Sequence, residues 1–192
     1  MKYIKIILPS VLCLLIIYIT KMPIWFYPLL FGFIVGLINW KVHRYKPYIG
    51  LFLCIISSLV SFWLAIFCVG IFSNFREFIL NNTDIMISES IKMYDVFIPP
   101  FIVAPLLVFF LFRFIFFFPK TKFSLYVIIS SILLLILDFL FFWNYPKKDD
   151  YFKMLPYIIW QFIMALSLQL ILYQDEIKAV FNKKFGLKMN KK

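Results

Sequence analysis

Residues 123–143 read FSLYVIISSILLLILDFLFFW, an apolar run interrupted by a single charged residue, Asp138. A helix needs about 20 apolar residues to cross a bilayer core that is about 30 Å thick, and this run meets that length. The run therefore predicts a transmembrane helix. It also places the carboxyl group of Asp138 inside the hydrocarbon. A charged group is costly there, so an acidic residue at such a position usually has a functional or structural role.

Further apolar runs precede and follow this one, at residues 4–20, 24–40, 48–72, 95–118 and 152–174. The first two are short and are separated only by Lys21-Met22-Pro23, so we expect a tight helical hairpin or a single re-entrant element. The pattern predicts an all-α polytopic membrane protein, with six transmembrane helices in one bundle over residues 1–174. A basic cytoplasmic tail follows at residues 175–192.

The composition supports this class. Hydrophobic residues make up 64% of the chain and charged residues 15%, against about 25% charged in soluble proteins. The net charge of +11 does not indicate a nucleic-acid surface, because the basic residues bracket the hydrophobic spans instead of forming a patch on a soluble face. It indicates contact with anionic lipid head groups.

The distribution of basic residues predicts the orientation. If the N-terminus is cytoplasmic, the inner segments contain 14 lysines and arginines and the outer segments contain 6. Such a bias fits the positive-inside rule and places both termini in the cytoplasm, as expected for a protein of the bacterial inner membrane.

Small residues in two runs predict close helix contacts. Gly32 and Gly36 form a Gly-x-x-x-Gly motif in the second run, and Ser57, Ser61 and Ala65 repeat this spacing in the third. Such spacing places small residues on one helix face, so that a neighbouring backbone can approach closely. The neighbour is either another helix of the same bundle or a second copy of the chain.

Four polar residues lie inside the runs. Counting 1.5 Å per residue, Asp138 is about 24 Å and Gln161 about 21 Å from the inner edge, while Arg113 and Gln169 are about 10 Å and 9 Å from it. The matched depths predict two interhelical pairs, Asp138 with Gln161 and Arg113 with Gln169. The alternatives are a proton- or cation-handling role for Asp138 and snorkelling of Arg113 toward the head groups.

Other features give local expectations. Pro105 is placed to kink the fourth helix. Residues 73–94 are expected to form an outer loop that contains an amphipathic interfacial helix. His43, the only histidine, lies between basic residues and is expected to be solvated. We expect Cys13, Cys54 and Cys68 to be packed within helices.

The functional expectations follow from what the chain contains. It carries no nucleotide-binding glycine pattern, no cluster of metal-ligand residues, and no nucleophile with a histidine at a plausible depth. We therefore expect a non-enzymatic protein without catalytic residue, cofactor or metal. Its partners would be the lipid bilayer and another membrane protein or a second copy, as in an accessory subunit or an immunity or superinfection-exclusion protein. The alternative is a small transporter or substrate-binding subunit, and whether a small molecule binds stays open.

Overall fold

A computed structural model describes residues 2–82, 97–119, 121–143 and 150–185, and the regular secondary structure of those residues is helical. The bounds follow in chain order: α1 Lys2–Thr20, a 3₁₀ helix Ile24–Phe26, α2 Tyr27–Ile38, α3 Pro47–Asn82, a π-helical turn Pro99–Val103, α4 Ala104–Ile115, α5 Lys122–Trp143, α6 Asp150–Leu172 and α7 Gln174–Phe185.

Three of these helices are long and apolar enough to cross a membrane: the segments Pro47–Phe78, Lys122–Phe142 and Leu155–Leu172. Three shorter apolar helical segments accompany them, at Ile4–Thr20, Ile24–Ile38 and Pro99–Ile115. The chain is therefore a helical membrane protein, and each of the six predicted apolar runs coincides with one of these segments.

Two helix ends differ from the sequence prediction. α3 continues through Asn82 instead of ending near residue 72, so the first part of the predicted outer loop is helical. Its 36 residues span about 54 Å, well beyond a bilayer core. The predicted interfacial helix falls largely on residues 83–96, outside the described residues. Near the C-terminus, α6 ends at Leu172, two residues before the end of the predicted run, and Tyr173 separates it from α7.

α6 lies at the centre of the packed helices. It contacts α1, α2, α5 and α7, while α3 packs against α2 and α4. Its side chains at Met164, Ala165 and Leu168 are completely buried. In contrast, α3 and α5 each present a broad apolar surface, as Phe67 and Leu137 illustrate with more than half of their side-chain area exposed. Such faces are suited to lipid.

The glycines of the second run lie against α3. A Cβ atom added at Gly32 would be 2.6 Å from the carbonyl oxygen of Cys54 and 2.7 Å from the Cα of Ile55. One added at Gly36 would be 2.8 Å from Leu51 Cδ1. The Gly-x-x-x-Gly face is therefore occupied by a helix of the same chain.

The loop between α2 and α3 is tied to the end of α4, and here the sequence expectation for His43 is wrong. The His43 side chain is buried, with its ring 4.8 Å from the ring of Phe116 and Nε2 4.0 Å from Cys54 Sγ. It fits because Gly50 has no side chain, since a Cβ there would clash with the His43 ring. The Cys54 thiol is itself completely buried, so this contact is packing and not an accessible nucleophile.

Arg44, next to His43, donates hydrogen bonds to the last carbonyl groups of α4 and its C-terminal cap. Its backbone N–H donates to the carbonyl of Ile115 at 2.9 Å, and its Nε donates to the carbonyl of Phe116 at 2.8 Å. The last carbonyls of a helix have no partner within the helix, and basic side chains commonly bind them. Arg44 therefore has a structural role in addition to its contribution to the predicted orientation.

Candidate functional site

A cavity of ≈ 280 Å³ lies where the 3₁₀ helix, α2, α3, the π-helical turn and α6 meet. Its walls are largely aromatic and aliphatic, and its polar side chains include Ser58, Ser61 and Gln161; the aromatic lining consists of Trp25, Tyr27, Phe62, Tyr157 and Trp160. None of the lining residues in the described part of the chain is charged. A mostly apolar, concave site with a few convergent polar groups is the usual form of a small-molecule site.

Gln161 is the most unusual group in this cavity. The residue is 3% exposed, and its side-chain oxygen Oε1 has no hydrogen-bond partner among the described residues. A buried acceptor without a partner costs about 1–3 kcal/mol, and native proteins contain few of them. Gln161 Oε1 is therefore the acceptor beside this cavity that a hydrogen-bond donor would stabilise most.

Small residues predicted to pack α3 also line the cavity. Ser61 and Ala65 face it, and the Ser61 hydroxyl donates to the carbonyl of Ser57 at 2.8 Å. The proton of Ser61 is therefore used within α3. Its oxygen retains lone pairs that can accept a further hydrogen bond.

The π-helical turn explains how Trp160 is held in the cavity wall. In this turn the Ala104 N–H donates to the carbonyl of Pro99, five residues earlier. With the same spacing, the carbonyl of Pro100 would accept from the N–H of residue 105. That residue is proline and has no N–H. The indole Nε1 of Trp160 donates to the Pro100 carbonyl instead, at 2.9 Å. Pro105 therefore leaves the Pro100 carbonyl without a backbone donor, and the bond from the Trp160 indole to this carbonyl orients Trp160.

A second site lies on another side of α6. Asp138 sits in a wide, shallow groove between α5 and α6, with Leu134, Leu137 and Phe141 on one wall and Ile159 and Ile163 on the other. Its carboxyl oxygen Oδ2 is buried and has no hydrogen-bond partner among the described residues. The groove is open toward the surface that α5 presents to lipid.

The predicted polar pairs are not formed. Gln161 lines the cavity and Asp138 lines the groove, and within the described segments neither Asp138 Oδ2 nor Gln161 Oε1 has a hydrogen-bond partner. Depth along a helix does not determine which face of the helix a side chain lies on. Gln161 is two residues from Ile159, which lines the Asp138 groove, and so projects about 200° away from it.

The second predicted pair fails for a similar reason. Gln169 is completely buried, and in the part of the chain that the structure describes neither Oε1 nor Nε2 of its amide group has a hydrogen-bond partner. The side chain of Arg113 is exposed, as expected for the alternative, in which Arg113 snorkels along the helix surface.

The polar contacts that do join helices involve residues that the sequence analysis did not single out. Ser131 Oγ on α5 lies 2.6 Å from Ser167 Oγ on α6. Near the start of α5, Gln174 Nε2 donates to Ser124 Oγ at 3.2 Å and Thr121 Oγ1 donates to Gln174 Oε1 at 2.5 Å. Serine and threonine in apolar runs are too common for their positions alone to predict these contacts.

Comparison with known proteins gives no assignment: no protein-family model, curated protein or solved structure matches the chain. Within the described residues, no group of three or more histidine, cysteine, aspartate or glutamate side chains is placed to hold a metal ion. The fold and the two sites define the class: a helical membrane protein with an aromatic cavity beside α6 and an acidic groove between α5 and α6.

Proposed function

We propose that the chain is a six-span protein of a bacterial inner membrane, with both termini in the cytoplasm, that acts without enzymatic chemistry by contacting a transmembrane helix of another protein. The six apolar segments and the 14 to 6 distribution of basic residues support the topology. The observation that carries the contact is Asp138, whose buried oxygen Oδ2 has no hydrogen-bond partner among the described residues and which lines a groove open to lipid.

The shape of the groove favours a helix as its occupant. Leu134, Leu137 and Phe141 lie on one face of α5 and are 52%, 61% and 62% exposed. Together with the α6 wall they form two apolar ridges, and a third helix can pack between such ridges. Lipid tails offer no donor to the carboxyl group. A helix that carries lysine, arginine or another donor at this depth satisfies Asp138.

The depth of the basic residues favours a partner with a different sequence. In a second copy of the same orientation, Arg113 lies about 10 Å from the inner edge, whereas Asp138 lies about 24 Å from it. The remaining basic residues inside the runs, Lys5 and Lys153, are each one residue from the end of a run. None of these side chains matches the depth of Asp138.

Site-specific photo-crosslinking in the native host tests this proposal. A benzoylphenylalanine in place of Leu137 should yield a discrete adduct, and the crosslinked peptide should lie in an apolar helix that carries a donor residue. Asp138→Leu in the same protein should lower the adduct yield about fivefold, since interhelical polar contacts in membranes contribute about 1 kcal/mol. Phe67, which is 66% exposed on α3, provides the control position and should give no adduct that depends on Asp138.

Three outcomes would overturn the proposal. One is the absence of any adduct from residue 137 when the protein is correctly folded and inserted. Another is an adduct whose yield does not change in Asp138→Leu. The third is an adduct of twice the mass of the chain, which would identify a second copy as the occupant.

The cavity favours the second candidate function, a small transporter or substrate-binding subunit, because its unsatisfied Gln161 is suited to a solute. If Asp138 handles a coupling ion in such a transporter, Asp138→Asn should abolish uptake while folding survives. A helix contact would survive this substitution in part, because asparagine retains hydrogen-bonding capacity at matched size. The uptake of Asp138→Asn therefore separates the two candidates.

A further inference from the structure

We infer that the cavity beside α6 binds a small, neutral, aromatic molecule that carries an N–H or O–H donor. The cavity and the Asp138 groove lie on different sides of α6, so this inference does not depend on helix docking in the groove. It rests on the size of the cavity, the chemistry of its walls and the unsatisfied oxygen of Gln161.

The volume sets the size of the ligand. An apolar cavity of about 150 Å³ holds one benzene molecule. At ≈ 280 Å³, this cavity has room for two fused rings. Such a ligand is much smaller than a phospholipid, and an acyl chain has no donor for Gln161, so neither is the expected occupant.

The walls favour an aromatic ligand. Trp25, Tyr27, Tyr157 and Trp160 all line the cavity, and aromatic rings pair favourably in offset-stacked or edge-to-face arrangements. The indole N–H of Trp160 is already bound to the carbonyl of Pro100. Trp160 therefore offers its ring to a ligand and not its donor group.

Two acceptors in the cavity wall favour a donor on the ligand, and the lining favours a neutral molecule. Gln161 Oε1 is an acceptor without a partner, and Ser61, whose proton is given to the Ser57 carbonyl, can only accept from a ligand while that bond is kept. No charged side chain lines the cavity among the described residues, so an ionised ligand would lose its hydration without compensation. A neutral N–H or O–H group matches this arrangement.

Indole and benzothiophene are suitable probes, because both are neutral two-ring molecules of similar shape and only indole has an N–H donor. Their binding to the purified full-length protein in detergent can be measured by isothermal titration calorimetry, with the heats from empty micelles subtracted. Wild-type protein should bind indole about tenfold more tightly than benzothiophene, as expected for one hydrogen bond in an apolar site. In Gln161→Leu this preference should disappear, with the affinity for benzothiophene unchanged.

Ala65→Leu is a second variant that does not alter Gln161. Ala65 lines the cavity and is 4% exposed, so a leucine there fills part of the space and should weaken the binding of both probes. Equal affinity of the wild-type protein for indole and benzothiophene, or no saturable binding of either, would overturn the inference without any variant. If folded Gln161→Leu still prefers indole to benzothiophene, Gln161 is not the group that accepts the hydrogen bond from the ligand.

Discussion

His43 is a single side chain on which the packing of the loop between α2 and α3 depends. Its ring fills the space left by Gly50 and packs against Phe116. Burial removes water from the imidazole and lowers the pKa of His43 below its ordinary value. The neutral form is therefore favoured in the folded protein, and protonation opposes folding.

This shift predicts that stability depends on pH. Below about pH 6.5 the unfolded chain binds a proton at His43 before the folded protein does, so the free energy of unfolding should fall as the pH decreases from 7.5 to 5. Thermal unfolding in detergent, followed by tryptophan fluorescence, measures this loss. Because His43 is the only histidine, the loss near pH 6 should be smaller in His43→Gln. Parallel stability curves for the two proteins would contradict the prediction.

Residues of the candidate sites could be predicted from sequence only in part. Asp138 and Gln161 stand out because polar groups are rare in apolar runs, and each has one buried oxygen without a hydrogen-bond partner among the described residues. Their partners could not be predicted, because spacing gives depth along a helix but not the face that meets each neighbour. His43 was misassigned for a related reason: the absence of a side chain at Gly50 creates its pocket, and nothing near His43 in sequence signals that.

At the scale of elements, the contact between α2 and α3 depends on two glycines with different surroundings. The neighbours of Gly32 include the backbone atoms of Cys54 and Ile55, whereas the nearest neighbour of Gly36 is the end of the Leu51 side chain. Backbone atoms cannot move without displacing the whole helix. A side chain can rotate away, so Gly32 should tolerate substitution less well than Gly36.

Alanine substitutions test the close contact at Gly32. Gly32→Ala should lower the free energy of unfolding by about 1–3 kcal/mol, because overpacking forces the helices apart. Gly70→Ala is the matched control, since Gly70 is in the same pair of helices but has nothing within 4 Å of an added Cβ. It should be neutral or slightly stabilising, as alanine is the better helix former. Equal effects at the two positions in thermal unfolding would show that the close contact is not important for stability.

Helix type and approximate position could be predicted, whereas helix ends could not. The apolar runs place all six segments, since apolar length is what a bilayer selects. The extension of α3 to Asn82 passes through Arg76 and Glu77, whose charges made the sequence resemble a loop. Tyr173, between α6 and α7, still donates its backbone N–H to the carbonyl of Gln169 at 2.9 Å, and no glycine or proline marks a helix end there, so the sequence pattern did not show this boundary.

At the scale of the whole molecule, the two short segments at the N-terminus decide the topology. α1 has 19 residues, and α2 with its 3₁₀ helix covers Ile24–Ile38. If both cross the membrane, Lys21 lies outside and Lys41 lies in the cytoplasm. If they form a re-entrant hairpin, Lys21 stays within the membrane, and the number of spans falls to four.

Cysteine labelling separates these topologies. Lys21 and Lys41 are both exposed, and each can be replaced by cysteine in a protein whose native Cys13, Cys54 and Cys68 have been changed to alanine. In intact cells a membrane-impermeant maleimide should label Lys21→Cys but not Lys41→Cys, which should react only after permeabilisation. The positive-inside rule requires this outcome, because the segment between α2 and α3 contains Lys41, Arg44 and Lys46 whereas Lys21 is the only basic residue between α1 and α2. Labelling of Lys41→Cys in intact cells would show that the orientation is the reverse of the predicted one. Reaction of Lys21→Cys only in detergent would show that the first two segments form a re-entrant element instead of two spans.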